Sequence, residues 1–280
     1  MGPLESLTPI YTAELFAPLN AELIALLRGL DPDDWMRQTV APRWRVRHVA
    51  AHLIDGAIRR LTVGRDGHQL TTRPPTGYRD VLSLIQGLNE SGVEFGQRLS
   101  PPLLVDLLEV TGRWLSEYFE RLDPHGEATF PVDWVGESRS EHWMDVGRDY
   151  TERWHHQMQI RDAVGAAPLF ERRWLYPLLE LSVRALPRAY ARTTARVGST
   201  VVLEVEGAEP MTWTLVRDGV IWVVKRGRPS TADAEVRFDA DTAWKLFYNA
   251  LKSAEGHARA SVTGNRLLAE PLFTVRSVMV

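Results

Sequence analysis

Cysteine is absent from this sequence of 280 residues. Without cysteine the chain can form no disulfide bond, hold no metal through a thiolate and use no cysteine nucleophile. Any metal ion would therefore be bound by histidine and carboxylate side chains. Such ligands are typical of zinc, and nickel, iron and manganese accept them as well.

Two further absences limit location and partners. No apolar run approaches the roughly 18 residues of a transmembrane helix, and the N-terminus lacks the basic and apolar stretches of a signal peptide. The 33 Lys and Arg nearly balance the 36 Asp and Glu, which leaves a net charge of -3. A balanced chain has no electrostatic reason to bind nucleic acid or an acidic membrane. We therefore expect a cytoplasmic monomer or homodimer that binds neither.

The first two thirds of the chain show the hydrophobic period of amphipathic helices. The segments predicted to be helical are 12–29, 45–61, 78–99, 101–122 and 143–164. Asn89, Gly92 and Gly96 weaken the third of these helices and make a break in it possible. A sixth helix is predicted over 171–193, with Pro187 as the point at which it kinks or ends.

After Arg196 short β-branched runs replace the helical period, which indicates strands near 201–205, 220–224 and 235–238. Asp218-Gly219 is a hairpin turn signal, and Asp241 is expected to cap the helix that follows. Helices followed by a mixed α+β unit indicate an α+β protein of two domains. The limits we predict are 1–166 for a helical domain, 167–198 for a connecting helix or linker, and 199–280 for a small α+β domain.

Candidate site residues lie on the second and fifth predicted helices. Glu152 and His156 are four residues apart and share one helical face, and His155 also lies on a face with Glu152. His52 stands at the edge of the apolar stripe of its helix, with His48 further toward solvent. A surface ion pair has the same spacing as a pair of metal ligands. Spacing alone therefore leaves open whether these residues bind a metal. It also leaves open whether His155 or His156 would be the ligand on this helix.

The surroundings of these residues resemble the mycothiol-dependent maleylpyruvate isomerase family, part of the wider DinB-like group of four-helix metal proteins. The likeness rests on Trp35, Pro42 and Trp44 ahead of His52, and on Glu152-Arg-Trp-His-His156 followed by Ala163-Val-Gly165. It implies an N-terminal DinB-like four-helix bundle that binds one divalent metal ion, typically zinc, through His52, Glu152 and His156. We also expect Trp44, Trp143 and Trp154 to lie near this site, where they either line a pocket or belong to the hydrophobic core.

The C-terminal third, with Gly264-Asn-Arg-Leu-Leu-Ala269, resembles the sterol-carrier-like α+β domain that many members of this family append. Two positions depart from the family pattern, because His48 and Gln159 stand where an aspartate is usual. A metal-bound histidine normally passes its second ring proton to a nearby acceptor, so these changes bear on the surroundings of the metal.

The resemblance implies a small-molecule chemistry. A low-molecular-weight thiol such as mycothiol would bind near the metal and attack a small electrophile, giving S-transfer or cis-trans isomerisation. A chain without cysteine is compatible with a thiol that comes from outside. The alternative is a module that binds a small ligand and carries a structural or vestigial metal site.

Overall fold

The computed structural model describes residues 3–69, 78–132, 136 and 138–277. The chain separates into two compact units, each built from discontinuous segments. The helical unit comprises residues 11–130 and 141–169, and the sheet unit comprises residues 1–10, 131–140 and 170–280. This arrangement confirms the predicted α+β class.

The helical unit has a helix at each of the first five predicted segments. These helices are α1 Phe16–Arg28, α2 Val46–Arg60, α3 Tyr78–Gly96, α4 Pro101–Glu120 and α5 His142–Val164. Buried apolar residues of α1, α2, α4 and α5 form one shared core, which is the predicted four-helix bundle, and α3 packs on α2. None of the helices described is both long and apolar enough to cross a membrane.

The weak third helix is not broken, because α3 is continuous from Tyr78 to Gly96. Gly92 and Gly96 lie where α3 packs against α2. A Cβ at Gly92 would clash with the side chain of Asp55, and one at Gly96 would clash with Ala51. The glycines therefore weaken the helix locally but allow the two helices to pack together.

The sheet unit contains a six-stranded sheet in the order β1-β4-β3-β2-β5-β6 within the part of the chain that the structure describes. Its strands are β1 Glu5–Ser6, β2 Thr200–Val205, β3 Met211–Asp218, β4 Ile221–Arg226, β5 Ala234–Phe238 and β6 Ser261–Gly264. The pair β2 and β5 is parallel, and the other neighbours are antiparallel. The predicted hairpin is confirmed, since Asp218 pairs with Ile221 across the turn at Gly219, whose φ is 55°.

The helices of the sheet unit are α6 Arg172–Ser182, α7 Leu186–Ala189, α8 Ala240–Phe247, α9 Ser253–Arg259 and α10 Arg266–Ala269. The predicted helix over 171–193 is interrupted by a 3₁₀ turn at Val183–Ala185. Pro187 lies in the first turn of α7, where its missing N–H needs no partner. The predicted cap at Asp241 is wrong: Asp239 caps α8, and its carboxylate accepts a hydrogen bond of 2.6 Å from the Thr242 N–H.

The domain limits of 1–166, 167–198 and 199–280 remain a prediction. The residues of the helical unit define a fragment with which the first limit can be tested. Glu5 and Ser6 pair with β4 in the sheet, whereas the buried residues of the bundle core described above run from Leu23 to Ile160. A fragment of residues 11–169 is therefore expected to stay helical and to unfold cooperatively on heating, as followed by circular dichroism. An unfolded fragment would show that the bundle depends on the rest of the chain.

Candidate metal centre

Three side chains from two helices converge at one point in the helical unit. His52 comes from α2, and Glu152 and His156 come from α5. One ligand atom of each, a ring nitrogen or a carboxylate oxygen, lies within 4.8 Å of the other two. Nε2 of His156 is 3.4 Å from Oε2 of Glu152, and the rings of His52 and His156 are 4.6 Å apart between centroids. The structure thus brings together the three residues that the sequence analysis singled out.

Local structure explains how each side chain reaches this point. The four-residue spacing stacks Glu152 and His156 on one face of α5, and the packing of α2 against α5 adds His52. Trp44, just before α2, lies against both histidines, with ring centroids 4.6 Å from His52 and 5.6 Å from His156. Both histidines are buried, whereas Glu152 keeps 35% of its side chain exposed. The site is therefore open to solvent on the side of Glu152.

The other two tryptophans expected near the site lie elsewhere along α5. Trp154 is fully buried in the core, two positions from both Glu152 and His156 and hence nearly opposite to them around the helix. Trp143 lies at the start of α5, where its Nε1–H donates to Glu141 over 2.7 Å.

The surroundings of His52 and Glu152 favour the protonation states in which these two residues bind a metal. Burial lowers the pKa of His52 well below its ordinary value, and the neighbouring His156 adds to this effect. Burial alone would raise the pKa of Glu152, but the hydrogen bond from His156 and the nearby His155 outweigh it and lower that pKa. A neutral imidazole and an ionised carboxylate are the ligand forms of these residues.

Two hydrogen-bonding details show that the residues fit a divalent metal ion. Nδ1 of His52 is buried and has no hydrogen-bond partner among the described residues. A buried nitrogen without a partner costs roughly 1–3 kcal/mol, and a metal ion can bind either ring nitrogen of a histidine. Nδ1 of His156 is 2.9 Å from Oε1 of Gln159, the outer contact that a metal-bound histidine normally makes. Two imidazoles and one carboxylate suit zinc, with nickel, iron and manganese as alternatives.

The geometry separates His156 from its neighbour His155. His155 is buried, and its ring lies 4.0 Å from that of His156, but its Nδ1 contacts the backbone oxygen of Thr151 at 2.8 Å. Burial lowers the pKa of His155 to about 3. In the described part of the chain the ligand cluster includes His156 and not His155.

His48 has a local role at the start of α2. Its Nδ1 accepts a hydrogen bond of 3.3 Å from the backbone N–H of Arg45, as part of a capping box. It stays outside the cluster of His52, Glu152 and His156.

A buried ionic network next to the cluster was missed by the sequence analysis. Arg60 of α2 bonds to Asp145, and its Nε is 3.1 Å from Oδ2 of Asp149. Nη2 of Arg148 lies 3.1 Å from Oδ1 of Asp145 and 2.8 Å from Oδ1 of Asp149. A signal existed, because positions 145, 149, 152, 156 and 159 repeat at alternating spacings of four and three. One polar stripe of α5 thus carries both the network and the ligands.

A family model and solved structures both match this chain. A family model described as the mycothiol maleylpyruvate isomerase N-terminal domain matches residues 16–161, more than half of the chain and all three clustered residues. Among solved structures, the mycothiol-dependent maleylpyruvate isomerase and a His-to-Ala mutant of it are similar. Each has 14% sequence identity and a TM-score of 0.53, and each match covers 90% of this chain and 90% of the other. At this identity the likeness shows the fold.

Other comparisons contribute little. Sterol Carrier Protein 2 from Yarrowia lipolytica covers 52% of this chain and 95% of its own length at 15% identity, but the TM-score of 0.24 carries no argument. The sterol-carrier-like nature of the C-terminal region therefore stays a prediction. Comparison with curated proteins finds no match.

Proposed function

Because this chain belongs to the family of the mycothiol maleylpyruvate isomerase N-terminal domain, we propose that it is a metal-dependent enzyme that uses a small thiol. The thiol, mycothiol or a relative such as bacillithiol, would react with a small electrophilic substrate. The observation that carries the proposal is the cluster of His52, Glu152 and His156, whose ligand atoms lie within 4.8 Å of one another.

A divalent ion held by three protein ligands keeps positions for other ligands and stabilises a thiolate over a thiol. The residues of the chain provide the surroundings. His52 and His156 offer ring nitrogens from buried positions, and Glu152 balances one positive charge. Trp44 covers the rings of both histidines and keeps water from that side. The exposed side of Glu152 marks the side from which a thiol and a substrate would enter.

Two reaction types suit a thiolate at this place. In isomerisation the sulfur adds to one carbon of a conjugated cis double bond, which becomes a single bond and rotates. Loss of the thiolate then restores the double bond in the trans form, so the thiol is regenerated and no oxidant is needed. In S-transfer the sulfur displaces a leaving group and stays in the product. Since the chain has no cysteine, the sulfur must come from outside in both cases.

The test is an activity assay on protein stripped of metal by a chelator and then reloaded with zinc, nickel, iron or manganese. Mycothiol, bacillithiol and other small thiols are offered together with maleylpyruvate, an epoxide and an aryl halide. We expect turnover that requires both the metal and one of the thiols, and that is lost in His52→Ala. If no combination reacts faster with the wild type than with His52→Ala, the proposal is contradicted and a small-ligand-binding module is favoured.

A further inference from the structure

We propose that Gln159 is a positioning residue that supports His156 in two tautomers, one in the metal-free protein and the other in the metal-bound protein. The inference rests on the metal centre of the proposed function and concerns how this chain holds that centre. It starts from the one residue of the α5 polar stripe that is both next to a ligand and without charge.

The contacts of His156 place a different group at each ring nitrogen. Oε1 of Gln159, one turn along α5, is 2.9 Å from Nδ1, and Oε2 of Glu152 is 3.4 Å from Nε2. Both His156 and Gln159 are buried, at 6% and 5% exposure. Little of either side chain reaches water, so Nδ1 depends on the amide of Gln159 for its hydrogen-bond partner.

A neutral imidazole has one nitrogen that donates and one that accepts. When a metal ion takes the lone pair of Nε2, the proton is on Nδ1 and is donated to Oε1 of Gln159. Without the metal, the carboxylate of Glu152 faces Nε2, and an ionised carboxylate can only accept. The proton then favours Nε2, and Nδ1 becomes an acceptor that needs a donor.

The side-chain amide of Gln159 meets both requirements, because it carries an acceptor oxygen and a donor NH₂ group on the same carbon. A half-turn about its last side-chain bond exchanges the two atoms next to Nδ1. A carboxylate at this position would hold the proton on Nδ1 in both states. In this chain, metal binding would therefore move the imidazole proton of His156 from Nε2 to Nδ1 and turn the amide of Gln159. Neither state would leave a ring nitrogen of His156 without a partner.

The experiment reads the tautomer directly, by long-range ¹H–¹⁵N NMR of the full-length protein labelled with ¹⁵N, with His156→Gln used to assign the ring. For wild type we expect the proton on Nε2 without metal and on Nδ1 with zinc. In the isosteric variant Gln159→Glu we expect Nδ1 to be protonated in both states. An Nδ1 proton in the metal-free wild type would overturn the inference.

A second variant measures what the amide contributes to metal binding. Gln159→Leu has a similar size and offers neither donor nor acceptor, so zinc affinity should fall by about 10-fold, whereas Gln159→Glu should keep it. Undiminished zinc affinity in Gln159→Leu would count against the role of the amide. Failure of zinc to bind the wild type would contradict the proposed metal centre, whereas zinc binding without a change of tautomer would overturn this inference alone.

Discussion

Replacement of His52, Glu152 or His156 by alanine is expected to weaken the binding of a divalent metal ion by at least about 100-fold. Each residue supplies one of three ligand atoms that lie within 4.8 Å of one another. Loss of a group that merely orients a ligand costs about 10- to 100-fold in affinity, so loss of a ligand should cost at least the upper value. Metal content by elemental analysis and titration against a chromophoric chelator measure the effect.

His155→Ala is the matched control for His156→Ala. It removes a buried imidazole from the adjacent position of α5, 4.0 Å from the ring of His156, but one that contacts the backbone of its own helix. We expect this variant to bind metal as the wild type does. If His155→Ala lost the metal and His156→Ala kept it, the ligand would move by one position, a rotation of about 100° around the helix. Unchanged affinity in all three ligand variants would disprove the assignment.

How much of this site the sequence could predict depends on the distance over which each contact acts. The Glu152–His156 pair is local, since a helical period over 143–164 places both on one face, and α5 spans His142–Val164. The approach of His52 is not local, because it depends on how α2 packs against α5, and it was anticipated from the resemblance to a family. The choice between His155 and His156 also depends on packing, since both share a face with Glu152.

The same distinction explains the errors in the predicted fold. Asp239 and Asp241 both precede the apolar face of α8, and only backbone geometry decides that the Asp239 carboxylate meets the Thr242 N–H. Gly92 and Gly96 indicate a weak helix when α3 is considered alone, whereas their role concerns side chains of α2. The strand Glu5–Ser6 has two exposed residues and no periodicity to detect. Its place in the sheet follows from β4, more than 200 positions later.

The network of Arg60, Asp145, Arg148 and Asp149 is a long-range feature that the sequence analysis missed. Asp145 is fully buried, and the side chain of Arg60 is 5% exposed. The guanidinium of Arg60 also lies over the rings of Phe119 and Phe130, at 5.3 Å and 5.4 Å from their centroids. Arg60 lies eight positions after His52, about 12 Å along α2. Asp145 lies seven positions before Glu152, about 10 Å along α5. The pair of Arg60 and Asp145 therefore joins α2 to α5 about two turns from the metal ligands.

The free energy of unfolding is expected to fall by about 3–5 kcal/mol in Asp145→Asn, because the variant leaves one buried positive charge without its partner. The effect is read from urea denaturation followed by circular dichroism. The control is Glu109→Gln, which breaks the exposed pair of Arg28 and Glu109, 2.7 Å apart, and should cost less than about 1 kcal/mol.

The double variant Arg60→Met/Asp145→Leu removes both charges and leaves Arg148 paired with Asp149. It should recover most of the loss, since an apolar pair of similar volume often replaces a buried ion pair without penalty. A cost for Asp145→Asn as small as that of Glu109→Gln would show that the network does not hold α2 and α5 together.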